Sequence, residues 1–174
     1  GRQDKAQIRN HSLWSIELEG AEIAEVDPVA TIMSCMADQT RLQAHFPTLQ
    51  TVMQELYNNA LDHGILELDS SLKASAEGFE RYYAERERRL ALIDSGRLRL
   101  EFALSQPPQP EQVIIRVQDS GQGFDPARLA AAPPPLEDRF FGRGIPLVRN
   151  LCQRVSWFGN GNYVEAVYDL SAPG

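Results

Sequence analysis

Cysteine and histidine are scarce, with two and three among 174 residues, too few and too scattered for a disulfide framework or a zinc cluster. Cys35 and Cys152 both fall in helix-like apolar stretches, so each is expected as a reduced, buried thiol. Lysine and arginine are outnumbered by acids. A formal charge of −7 argues against a nucleic-acid partner, which needs clustered lysine and arginine to displace the counterions of a phosphate backbone. Missing too is any apolar run of the roughly 18 residues that a membrane helix needs, and the polar residues 1–10 lack the core of a signal peptide. The expectation is a cytoplasmic protein without a membrane partner. Also absent are the G-x-x-x-x-G-K-[ST] of phosphate-binding loops and the V-A-I-K and H-R-D of eukaryotic-type kinases.

The rest of the composition is average. With 43% hydrophobic and 24% charged residues, the chain suits one folded domain with its own core, and its length argues against a second. Residues 1–11 show no apolar period and read as a linker, or as the trace of a cut from a longer protein, so the domain is expected over 12–174. Trp14, Ile16 and Leu18 alternate with Leu13, Ser15, Glu17 and Glu19, which predicts a strand. Asp27-Pro28 then opens a helix as N-cap and first-turn proline, with Val29, Ile32, Met33 and Met36 as its buried stripe. A second helix is expected from Pro47 to about Gly64, which serves as its C-cap, with Leu49, Val52, Met53, Leu56 and Ala60 on its apolar face. Residues 66–95 form a third helical stretch, where Phe79, Tyr82, Tyr83, Leu90 and Ile93 interleave with charges. Residues 97–104 and 113–117 read as a hairpin and 145–154 as a helix. Residues 155–158 and 163–170 make a closing hairpin around Gly159 and Gly161. This order implies an α/β fold: a two-layer sandwich with a mixed, mostly antiparallel sheet of about five strands and helices on one face.

Three polar groupings carry chemistry. Glu55, Asn59 and His63 step by four along the second helix, so all three share one side at the border of the core stripe. Asn59 offers a hard carbonyl oxygen that suits magnesium. Glu55, one turn earlier, can take the proton of an attacking hydroxyl or orient it. Asp119 ends a strand and is followed by Gly121 and Gly123, which let the main chain approach a base or phosphate with no Cβ in the way. Its carboxylate can accept a hydrogen bond from the exocyclic amine of adenine. Gly142, Arg143 and Gly144 run straight into a helix, whose free N–H groups and positive dipole end receive phosphate. A helix edge, a strand-ending turn and a flexible cap would account for the three singly; their joint occurrence argues for a site.

E-x-x-x-N-A-x-x-H at 55–63, D-x-G-x-G at 119–123 and G-x-G-[hydrophobic] at 142–145 resemble the N box and the two glycine boxes of the GHKL ATPase superfamily. The G-R-G-[IL]-x-L-[VI] form is most similar to its anti-sigma-factor serine kinases, and the resemblance spans nearly the whole chain. It implies a Bergerat-type site for ATP and Mg2+, with Glu55 as catalytic base, Asn59 as magnesium ligand and Asp119 as adenine reader. His63, Gly121, Gly123, Gly142, Arg143 and Gly144 would line the nucleotide and its lid at 124–143, and either Arg139 or Arg143 would meet the γ-phosphate. The family further implies a protein serine/threonine kinase acting on a STAS-type anti-anti-sigma partner in a partner-switching pathway. A sigma or anti-sigma factor would be a further partner, and the domain would end a larger response-regulator or phosphatase protein. Two other functions stay open: a histidine-kinase catalytic domain, against which Glu55 at the first N-box position speaks, and a non-catalytic nucleotide-binding switch module. The segment at about 70–95 exceeds what the family needs and reads as an inserted helix. It is either a solvated extra that packs Phe79 and Leu90 on the sheet edge or a surface for a partner or a homodimer.

Overall fold

The computed structural model describes residues 11–121 and 144–171. Strand β1 (His11–Glu19) keeps the predicted alternation, with Leu18 buried and Leu13, Ser15, Glu17 and Glu19 exposed. It joins β2 (Arg97–Ser105), β3 (Gln112–Asp119), β4 (Arg154–Phe158) and β5 (Tyr163–Asp169) in an open five-stranded sheet of order β1-β2-β3-β5-β4. Each neighbouring pair is antiparallel, so the expected mixed sheet is corrected. Two hairpins, β2–β3 and β4–β5, meet through β3 and β5, and no parallel crossover is needed.

Register follows from period two. Trp14 faces Phe102, Ile16 faces Leu100 and Leu18 faces Leu98, so one side of the sheet is apolar. Val113, Ile115 and Val117 are buried on β3, and the same period carries Asp119, opposite Leu98, to the buried side. The other side bears an ion-pair ladder across four strands. Arg99 meets Glu101 at 2.9 Å, and Arg116 meets Glu165 at 2.8 Å. Two longer contacts, Arg116–Glu101 at 3.8 Å and Arg154–Glu165 at 3.7 Å, complete it.

The helices are α1 (Glu22–Glu25), α2 (Pro28–Cys35), α3 (Phe46–Asn59), α4 (Ala76–Ala91) and α5 (Gly144–Leu151). Short 3-10 stretches, Thr40–His45 and Ser70–Ala74, precede α3 and α4. Asp27 caps α2 as predicted, its carboxylate accepting from Ala30 N at 3.1 Å. Leu49, Val52, Met53 and Leu56 of α3 are fully buried and join the inward-facing residues of β1, β2, β3 and β5 in one core. At about 1.5–3 kcal/mol for each such side chain, this face outweighs any capping contribution to the placement of α3. None of the described helices is long and apolar enough to cross a membrane.

Several expectations are corrected. Cys35 is exposed, because it turns away from the stripe of Val29, Ile32 and Met36, whereas Cys152 is half-buried and burial pushes its thiol up to about 11. Gly64 is not a C-cap: α3 continues into a π turn, Ala60–Ile65, closed by Leu66 N donating to Leu61 O at 2.8 Å. Residues 66–95 are not one helix either. Ser75 sits in extended conformation (φ −133°), and its hydroxyl caps α4 by accepting from Gly78 N at 3.0 Å.

Nor does α4 lean mainly on the sheet edge. It packs on α1 and on the Ser70–Ala74 turn, and it sends the fully buried Tyr82 toward the end of α3. There Tyr82 OH donates to Asp62 Oδ2 at 2.7 Å and Arg86 Nε donates to Asp62 Oδ1 at 2.8 Å. A buried carboxylate requires donors, and the extra segment supplies both, which makes it part of the core rather than an appendage. Tyr82→Phe keeps the ring and removes one bond to a charged group, so urea unfolding is expected to show a loss of about 1.5–3 kcal/mol. A loss under about 0.5 kcal/mol would mean that water replaces the hydroxyl.

Candidate functional site

The core packing of α3 leaves Glu55 and Asn59 half-buried at its edge, as the helical spacing predicts. Against them lies Gly144, the first residue of α5: a Cβ there would fall 2.6 Å from Glu55 Oε2 and 3.7 Å from Asn59 Nδ2. Two of the three motifs are thus brought together. Asn59 Nδ2 is buried with no hydrogen-bond partner among the described residues, which costs about 1–3 kcal/mol. Its amide presents oxygen instead of nitrogen after a half-turn of the group, so this position can serve an incoming donor, acceptor or cation. Desolvation raises the pKa of Glu55; the charge of Lys73 opposes the rise and that of Asp62 adds to it.

His63 departs from the expected line. The wider π turn breaks the four-residue register of Glu55 and Asn59, and the Leu68 carbonyl accepts from His63 Nδ1 at 3.0 Å. Burial lowers its pKa, with the Leu68 hydrogen bond and the charge of Asp62 opposing.

Asp119 closes the other end of the site. Its buried carboxylate accepts from Gly121 N at 2.8 Å, while its own N–H donates to Asn162 O at 2.9 Å. A Cβ on Gly64 would stand 2.5 Å from that carboxylate, and one on Gly121 would stand 1.9 Å from Gly64 O. Both glycines therefore serve close main-chain approach, which is the actual role of Gly64. Burial, partly offset by the Gly121 N–H, pushes the Asp119 carboxyl up to about 6. A narrow crevice lined by Leu56, Asn59, Val117, Asp119, Ile145 and Trp157 connects the two ends. At about 10 Å³ it admits one water molecule, so it is a floor on which a ligand would rest, not the space that would hold it.

Sequence reasoning missed Asp62 and Lys73. Lys73 Nζ lies 4.4 Å from the centre of the Tyr82 ring; burial lowers its pKa, while the charges of Asp62 and Glu55 raise it. Glu55 and Lys73 influence each other's charge across 18 residues of chain, and no local pattern announces it. Gly123, Arg139, Gly142, Arg143 and the 124–143 lid lie outside the described residues. No family model matches the chain, and no curated protein matches it. Among the described residues no three His, Cys, Asp or Glu gather around a common metal position.

The two glycines are expected to separate on substitution. Gly64→Ala drives a methyl into a buried carboxylate and is expected to cost about 1–3 kcal/mol in urea unfolding. Gly144→Ala meets only the mobile end of Glu55 and is expected to stay within about 0.5 kcal/mol of the parent, while displacing that carboxylate from the site. Equal losses for the two would contradict this account.

Proposed function

We propose that the chain is an ATP- and Mg2+-dependent protein serine/threonine kinase of the anti-sigma-factor type, working in the cytoplasm on a STAS-type anti-anti-sigma partner. The fold that goes with this reading is a two-layer, Bergerat-type α/β sandwich of the GHKL superfamily. The observation that carries the proposal is the position of Gly144: the start of α5 lies on Glu55 and Asn59, with Asp119 at the other end of the same crevice.

The donor set fits the group it would hold. Asn59 can present one neutral amide oxygen, a hard donor, and a magnesium ion fills most of its positions with phosphate and water. Bound there, magnesium supplies charge neutralisation on the phosphates. Asp119, desolvated yet ionised above about pH 6, accepts the adenine amine. The N–H groups that open α5 face the phosphates. Glu55 orients the partner's hydroxyl and takes its proton as the hydroxyl oxygen bonds to the γ-phosphorus. The bond from that phosphorus to the β–γ bridging oxygen breaks, its electron pair leaving on ADP. Desolvation of Glu55 makes it a better base than a hydrated carboxylate.

With labelled ATP, magnesium and a STAS-type protein, the expected product is an acid-stable phosphoester on serine or threonine. Acid-labile phosphate would point to histidine transfer, and no transfer with intact binding to a silent switch module. Glu55→Gln is expected to retain nucleotide binding and to lose transfer by about 10²–10⁴-fold, and transfer at the parental rate would remove Glu55 as base. Asn59→Ala is expected to weaken the magnesium-dependent part of binding in calorimetry. Adenine nucleotide affinity should fall as pH drops through about 6, because the acceptor is lost when the carboxylate is protonated. Asp119→Asn should bind weakly and without that pH dependence.

A further inference from the structure

We propose that Lys73 is a phosphate-binding residue of this site, brought in by the segment between α3 and α4 to meet the terminal phosphate of the bound nucleotide. The inference rests on the nucleotide reading above and adds to it a residue that lies in none of the three motifs.

A lysine on a solvated face normally carries its head out to water. Lys73 does the reverse: it is half-buried, with its ammonium 4.4 Å from the centre of the Tyr82 ring and 5.9 Å from that of Tyr83. A ring face attracts the charge but leaves the N–H donors unspent, and no hydrogen bond or ion pair joins the Lys73 ammonium to another described residue.

The platform itself is fixed. Tyr82 is fully buried and its hydroxyl is bonded to Asp62, which sits in the π turn that directly follows Asn59. The charged groups around the ammonium are Asp62 and Glu55 on the acidic side and Arg86 on the basic side. Asp62 already receives Tyr82 and Arg86, so it has little need of a third donor. Glu55 is close enough to interact with Lys73 electrostatically, but the two form no ion pair within 4.0 Å. The ammonium therefore lies beside the Tyr82–Asp62 pair, at the helix end that directly follows Asn59, with donors available for an anion that arrives from outside. A terminal phosphate, with its charged oxygens, suits a lysine acting as a compact point charge. Segment 70–91 then has a function beyond filling: it clamps Asp62 and delivers this cation.

Calorimetry with Mg·ATP and Mg·ADP on the parent, Lys73→Met and Lys73→Arg tests the assignment. Lys73→Met is expected to weaken ATP roughly tenfold while ADP changes by less than about twofold, and Lys73→Arg is expected to keep most of the preference for ATP. Equal losses for both nucleotides, or no loss, would overturn the role of Lys73 while leaving the nucleotide site standing. A parent chain that binds neither nucleotide overturns the site and Lys73 together. Should Lys73→Met fail to fold, Lys73→Gln is read on the same pair of nucleotides by the same criteria.

Discussion

At Gly64 and Gly121 two main chains approach more closely than any Cβ permits, and the Asp119 carboxylate is held between them. The contact ties the end of α3 to the end of β3. Because α3 is already seated by Leu49, Val52, Met53 and Leu56, fixing its far end sets where Glu55 and Asn59 stand relative to Asp119. Backbone set against backbone cannot yield as a side chain can.

A second tie works at the same helix end in the opposite direction. Asp62 is met by Tyr82 and Arg86 from α4. Burying a carboxylate is unfavourable unless its oxygens find donors, and this pair of donors satisfies both. The π turn belongs to the same arrangement, since Asp62 and Gly64 fall within Ala60–Ile65, where one stretch must face α4 with the first and β3 with the second. A regular α-helix has no such freedom, and π turns are frequent where a function asks for it.

Along this line the protein disfavours charge repeatedly. Glu55 and Asp119 are pushed up by burial and Lys73 is pushed down by it. Perturbed groups also occur in structural ion-pair networks; here Asp119 lines the crevice and Glu55 stands against Gly144, next to the crevice residue Ile145. The ladder from Arg99 to Arg154 on the opposite sheet face shows the contrast, with each carboxylate paired to an arginine close to water. One face is neutralised by pairing, while the other keeps desolvated groups whose partners among the described residues are incomplete.

What the sequence determined by itself was the local part: strand alternation in β1, the Asp27 cap, both hairpins, and the placing of Glu55 and Asn59 one turn apart on the border of the core stripe. Each depends on near neighbours along the chain, where periodicity acts directly. Tertiary structure alone decided that all strand pairs are antiparallel, that Gly64 packs on Asp119 instead of capping a helix, that His63 leaves the line of Asn59, and that Lys73 reaches the neighbourhood of Glu55. Those outcomes are set by pairs of residues far apart in the chain, and a residue's type states what it can bond without stating which partner the fold will bring.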